Sequence, residues 1–174
     1  MIIKQPYDNL PARKLNCLFN QAYDKISECE SLRHDYLSLF YISSFTLNPY
    51  MRFYFYSRRR NFTDILGDII NLNPWKVSVV VRTVPESYFD KRSINYHIQK
   101  KAIEELKRRL CAVSTYDPRM CLFLNHAKFI LWFHLCRHCD ERICVKYYGS
   151  TNLTVSGLSN RGYGKGYGNF EEYC

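Results

Sequence analysis

Residues 120–135, MCLFLNHAKFILWFHL, leave this chain few folding options. The run is apolar, yet Asn125, His126, Lys128 and His134 interrupt it, so it falls short of the roughly 18 uninterrupted apolar residues of a membrane span. It is too rich in β-formers for a helix, which leaves one or two strands. The polar CRHCDER that follows predicts a tip and ICVKYYG (143–149) a returning strand, so 128–148 is expected to form a long hairpin.

The remaining segments supply both element types. Leu15, Leu18, Phe19, Ala22 and Ile26 recur at helical spacing and predict a helix over 12–34. LSLFYISSFTL (37–47) reads as a strand, and KVSVVVRTV (76–84) has the near-continuous branched run of a buried parallel strand. YMRFYFYSRRRNF (50–62) alternates aromatic and basic residues and fits either a loop or a strand. Thr63 looks like an N-cap, with Asp64 in the first turn of a helix running to about Leu72. A further helix is expected over 93–111, its stripe formed by Ile94, Ile98, Ala102, Leu106 and Leu110, with Lys and Arg crowding its last turns. Strand and helix alternate, which predicts an α/β fold with a mixed, mostly parallel β-sheet flanked by helices. The chain holds no internal repeat. Residues 160–169 carry four of its seven glycines and are expected to be a flexible loop.

At 174 residues the chain is expected to be a single domain, 1–174. Its 25 Lys and Arg against 16 acids give +9, a balance that favours anionic partners such as nucleic acid or phosphate esters. The N-terminal MIIKQPYDNLPARK lacks the apolar stretch of a signal peptide, so the expectation is a cytoplasmic protein with no membrane partner.

One constellation carries chemistry. His126 and Lys128 lie two apart on a predicted strand, so alternation puts both on one face. The return strand ends in Gly149-Ser150-Thr151-Asn152, where Ser150 and Asn152 again fall two apart. A hairpin would bring the two pairs side by side. Alone, His126 reads as a hydrogen-bonded core histidine. With Lys128, Ser150 and Asn152 it makes a set suited to a phosphodiester, imidazole as nucleophile or proton donor, ammonium and carboxamide on the non-bridging oxygens.

His126-x-Lys128 followed by Gly149-Ser150-x-Asn152 resembles the signature of the phospholipase D superfamily, which includes metal-independent nucleases. Asn152-Leu-Thr-x-Ser-Gly-Leu and the later Asn169-Phe-Glu171 are similar to its nuclease branch. The resemblance implies a phospholipase D-like domain and a phosphohistidine mechanism needing no cofactor, in which one histidine attacks phosphorus and a second protonates the leaving oxygen. Because the chain has a single motif, it also implies an isologous homodimer with a shared site. Lys128 and Asn152 would bind phosphate, Ser150 would support them, and Glu171 would orient His126. The family usually has Asp five residues after the Lys; position 133 here is Phe, and tyrosyl-DNA phosphodiesterase-like branches also lack that Asp. Family domains also run on past the carboxylate, which implies a C-terminally truncated or decayed copy. The alternative reading is therefore a nucleic-acid-binding module that has lost turnover.

Eight cysteines form the other notable feature. Cys17, Cys29, Cys111 and Cys121 have apolar neighbours and read as small buried hydrophobes. Cys136-x-x-Cys139, with Cys144 and with His134 or His138 nearby, has the spacing of half a zinc site. The usual second CxxC or HxxxH is missing, so a tip disulfide or free thiols compete with zinc. Arg58-Arg59-Arg60 and Lys107-Arg108-Arg109 read as solvated faces. The first, interleaved with Phe53, Tyr54, Phe55 and Tyr56, could instead grip a nucleic-acid strand, as could RGYGKGYG.

Overall fold

The computed structural model describes residues 3–4, 11–48, 51–110, 112–115, 128–149 and 171–173. Its elements run β1 (Ile3–Lys4), α1 (Pro11–Ser31), β2 (Tyr36–Ser43), β3 (Arg52–Phe55), β4 (Arg58–Asn61), α2 (Phe62–Leu72), β5 (Val77–Thr83), a 3-10 turn (Glu86–Tyr88), α3 (Ile94–Arg109), β6 (Ala112–Thr115), β7 (Lys128–Cys136), β8 (Glu141–Gly149) and β9 (Glu171–Tyr173). Seven strands form one mixed sheet in the order β1-β9-β8-β7-β2-β5-β6. The fold is thus α/β, as expected, but parallel pairing is confined to one end, at β2–β5 and β5–β6. The other neighbours pair antiparallel; for β7 and β8 this follows from the short turn between them, which can only return the chain alongside itself. The expected hairpin over 128–148 is present.

Alternation along the strands decides what the core contains. Phe40 and Ile42 of β2, Val77, Val79 and Val81 of β5, and Ile130 and Trp132 of β7 are buried on one face. The helices cover that face. Leu15, Leu18, Phe19, Ala22 and Ile26 of α1 are buried there, so the stripe read from the sequence is the one used. Phe19 packs on Phe40, Phe53 and Phe62, with ring centroids 6.4, 5.6 and 5.9 Å away. The residues between, such as Leu39, Tyr41, Val80, Leu131 and Phe133, lie half-buried on the opposite face. The run at 77–83 is therefore an alternating strand, with Ser78, Val80 and Arg82 on the more open side.

The aromatic and basic stretch resolves into a β3–β4 hairpin closed by Tyr56-Ser57, both at positive φ (46° and 65°), as a twist-matched two-residue turn requires. Tyr56 is held there by Tyr23, 5.6 Å away, and by donating its hydroxyl to Asp24. Helix α2 begins two residues earlier than Thr63 as N-cap would start it, with Asn61 as N-cap and Thr63 buried. In α3 the buried positions are Gln99, Ala102, Ile103 and Leu106, and Ile94 is exposed; Ser93 caps the helix by accepting the Tyr96 N–H. No helix among the described residues is long and apolar enough to cross a membrane.

Gln99 ties α3 to the ends of two strands. Its Nε2 donates to Thr83 Oγ1 and the Val84 carbonyl, both at 2.8 Å, and its Oε1 accepts from the Leu47 N–H at 3.0 Å. Leu47 and Val84 are buried, so their backbone groups have no water to turn to. Gln99→Leu should destabilise the chain by about 2–4 kcal/mol in urea unfolding, since it strands buried polar groups as well as deleting bonds. A change within about 0.5 kcal/mol, the size of an ordinary surface effect, would show that this bridge carries no such role.

Candidate functional site

Two ends of β7 carry side chains with chemical potential. At its start, Lys128 is 8% exposed and shares the core-facing side of the strand with Ile130 and Trp132. Register then places three residues in one row: Lys128 opposite Gly149, and Gly149 opposite Glu171. The row lies just beyond Ser43, the last residue of β2, at the carboxyl ends of the parallel strands β2 and β5. Several buried polar residues, Ser43, Ser44, Thr83 and Gln99, lie toward those ends. His126, Ser150 and Asn152 lie outside the described residues, as do Cys111, Cys121 and the expected loop 160–169. Lys128, Gly149 and Glu171 are thus the part of the predicted constellation that register brings together.

The basic segments divide by strand parity. Phe53 and Phe55 are buried, so they cannot stack on a base, contrary to the sequence reading. Tyr54 is 57% exposed and is the register partner of Arg59, with Arg52 and Arg58 exposed nearby. Arg60 pairs with Asp68, and Arg109 with Asp64 at 2.8 Å, so these two guanidiniums hold the fold rather than face a ligand. A groove of about 540 Å³ lies elsewhere, between α1 and the hairpin, lined by Asp24, Lys25, Glu28 and Trp132 among others; it contains none of the predicted catalytic residues.

The far end of β7 gathers four possible metal ligands. Cys136 ends the strand, and Cys139 lies in the turn that follows. The other two come from the end of α1. Arg33 takes a left-handed φ of 56°, the His34 N–H bonds the Cys29 carbonyl at 2.8 Å, and the Arg33 N–H bonds the Glu30 carbonyl at 3.0 Å. This is the Schellman stop, in which residues C3 and C″ come into contact. Here those two residues are Cys29 and His34. The ligand atoms of Cys29, His34, Cys136 and Cys139 all lie within 4.8 Å of one another. His34 Nδ1 is 3.6 Å from Cys136 Sγ and 4.0 Å from Cys139 Sγ.

The surroundings fix these groups from several sides. The His34 ring stacks on His138, centroids 5.0 Å apart and 7° from parallel, and its carbonyl accepts from Lys76 Nζ at 2.9 Å. His138 Nδ1 accepts the Asp35 N–H at 2.9 Å, which commits that nitrogen elsewhere. His134 is fully buried with Nε2 3.6 Å from Cys29 Sγ, and burial pushes its imidazole below its ordinary pKa, keeping it neutral at pH 7. Burial, then the neighbouring Cys136, push the Cys29 thiol up to about 12. Burial opposes ionisation of Cys136 as well, but hydrogen bonds from the Cys139 side chain and from the Cys139 and His138 backbones outweigh it and hold that thiol below its ordinary value.

This corrects two readings of the cysteines. Cys144 is exposed and is the register partner of Phe133, on the alternate face from His134 and Cys136, so it does not belong to the cluster. Cys17 is exposed, whereas Cys29 is buried as expected but among ligand atoms. Cys29 and His34 were missed because they lie more than 100 positions from the hairpin, being 105 from His134 and 102 from Cys136 respectively. The available signal was a cysteine on the apolar stripe at the end of a helix, five residues before a histidine.

No known family model matches the chain, and no curated protein matches it.

Burial alone ranks the described thiols. In native buffer, brief alkylation should label Cys17 and Cys144 and spare Cys29 and Cys136, which should react only after unfolding; peptide mass mapping reads this directly. Equal labelling of Cys29 and Cys17 in the folded chain would contradict the described packing.

Proposed function

We propose that this chain is a metal-independent phosphodiesterase, a nuclease acting on DNA or RNA through a phosphohistidine intermediate. The observation that carries the reading is the row Lys128–Gly149–Glu171 across three antiparallel strands. It aligns one residue from each half-motif, Lys128 and Gly149, with Glu171 at one end of the sheet. That end is also where the parallel strands present their carboxyl termini, the usual ligand edge of an open α/β sheet. An ammonium at that edge is chemically suited to the non-bridging oxygens of a phosphate.

In this proposal an imidazole nitrogen of His126 attacks phosphorus in line. Lys128 and Asn152 hold the non-bridging oxygens as charge builds on them, with Ser150 supporting both. Glu171 accepts the other imidazole N–H and fixes the tautomer that leaves the attacking nitrogen unprotonated. The leaving oxygen takes its proton from His126 of the partner subunit, since one side chain cannot occupy both ends of an in-line displacement. That imidazole then draws a proton from water, whose oxygen breaks the P–N bond and releases phosphate ester and free histidine. The site is thus completed by a two-fold homodimer. The exposed Arg52, Tyr54, Arg58 and Arg59 suit a substrate strand, with guanidiniums for phosphates and one aromatic face for a base.

Hydrolysis of single-stranded DNA and of a chromogenic diester, with no divalent cation added, tests the proposal. Wild type should cleave, His126→Ala should show no turnover, and Lys128→Met should fall by about 10²–10³-fold with unchanged unfolding. A folded wild type that binds DNA in a salt-sensitive way without cleaving it would leave a binding module and refute the enzyme. Cleavage that survives in His126→Ala would refute the assigned nucleophile.

A further inference from the structure

Separately from the phosphodiester site, and without resting on it, we propose that Cys29, His34, Cys136 and Cys139 bind one structural zinc ion. Zinc takes sulfur at about 2.3 Å and imidazole nitrogen at about 2.0–2.1 Å in a tetrahedron. Simple geometry then puts ligand atoms about 3.8 Å apart for two sulfurs and about 3.6 Å apart for sulfur and nitrogen. The His34 Nδ1 separations of 3.6 and 4.0 Å from the Cys136 and Cys139 sulfurs fit those edges, and the whole set lies within 4.8 Å. The three cysteines are free thiols.

The supporting groups are those a closed zinc site uses. Cys136-x-x-Cys139 lies on a hairpin turn whose residue after the second cysteine, Asp140, has a left-handed φ of 46°. The backbones of His138 and Cys139 donate to Cys136, leaving its sulfur oriented by two N–H groups. His134 Nε2, 3.6 Å from Cys29 Sγ, is placed to donate to that thiolate. Three thiolates and a neutral imidazole on a dication leave a single negative charge. Lys25, one helical turn before Cys29, bears electrostatically on Cys29, Cys139 and His134, and is itself held by Glu28 at 3.0 Å and Glu141 at 2.5 Å. Soft sulfur donors in a four-ligand set select zinc over magnesium or calcium, and a site with no open position does not suit hydrolysis.

The site would act as a clamp. It joins the C-terminus of α1 to the β7–β8 turn, segments 102–105 residues apart, where the protein already supplies the Arg137 N–H to Asp35 carbonyl bond at 2.9 Å and an exposed Arg137–Asp35 ion pair. Exposed ion pairs contribute little, so a metal cross-link would dominate the junction. Along β7 it stands roughly 27 Å from Lys128, at about 3.4 Å per residue, so the clamp and the phosphodiester site can be lost independently.

Metal analysis of the purified chain, dialysed against chelator-free buffer, is the test, with cobalt(II) substitution as a spectroscopic readout. The expected result is one zinc per chain, and for cobalt the intense visible bands of a tetrahedral ion with thiolate charge transfer. Cys139→Ser, at an exposed turn position that should leave the fold intact by circular dichroism, should weaken zinc binding by more than about 100-fold, and His134→Ala by about 10–100-fold. Cys144→Ser should bind as wild type does. Folded wild type without stoichiometric zinc would overturn the proposal. So would full occupancy in Cys139→Ser, or a Cys136–Cys139 disulfide in protein isolated under reducing conditions.

Discussion

β2 and β7 pair antiparallel through eight consecutive residues, Tyr36 with Cys136 to Ser43 with Phe129, and this register commits alternate side chains of β7 to the helix-covered face. Trp132 is buried among them, stacked on Phe40 at 6.0 Å and donating its indole N–H to Ser38 Oγ at 3.0 Å. A slip of one residue would send Trp132 and Ile130 to the open face and bring Phe133 and Leu131 inward. It would also displace Lys128 at one end of β7 and the cysteine–histidine cluster at the other at once. Lys128, His134 and Cys136 share the parity of Trp132, so the residues that build the core also aim the chemistry.

The two ends of that strand differ in what they ask of the fold. At the carboxyl edge of the parallel strands, the sheet keeps Gly149 and Glu171 in line with the buried Lys128. At the opposite edge, a helix stop and a hairpin turn converge, each held by its own backbone bonds and each with a non-glycine residue at positive φ, Arg33 and Asp140. Left-handed backbone at such residues costs of order 1 kcal/mol, a cost offset when the same turns deliver ligands to one ion.

Much of this was legible in the sequence because it rests on local periodicity. The stripe of α1, the strand at 77–83 and the hairpin around CRHCDER follow from spacing alone. What failed depends on tertiary partners. The parallel run was overestimated because strand order cannot be read from alternating elements once a hairpin inserts β7 beside β2. Phe53 and Phe55 seemed available for stacking because the pattern fits loop and strand equally, and only the β3–β4 pairing turns them inward. Half of the cysteine–histidine set was visible as CxxC, while Cys29 and His34 are joined to it by packing across the whole chain. Cys144 was included for proximity in sequence, and strand parity removes it.

The most direct measurement of the central claim is a rapid quench of the reacting protein, followed by peptide mass analysis under alkaline conditions that preserve phosphohistidine. The account predicts a phosphoryl adduct on His126, stable to base, labile to acid and absent in His126→Asn. Turnover without any such adduct, or with the phosphoryl group on another residue, would contradict it.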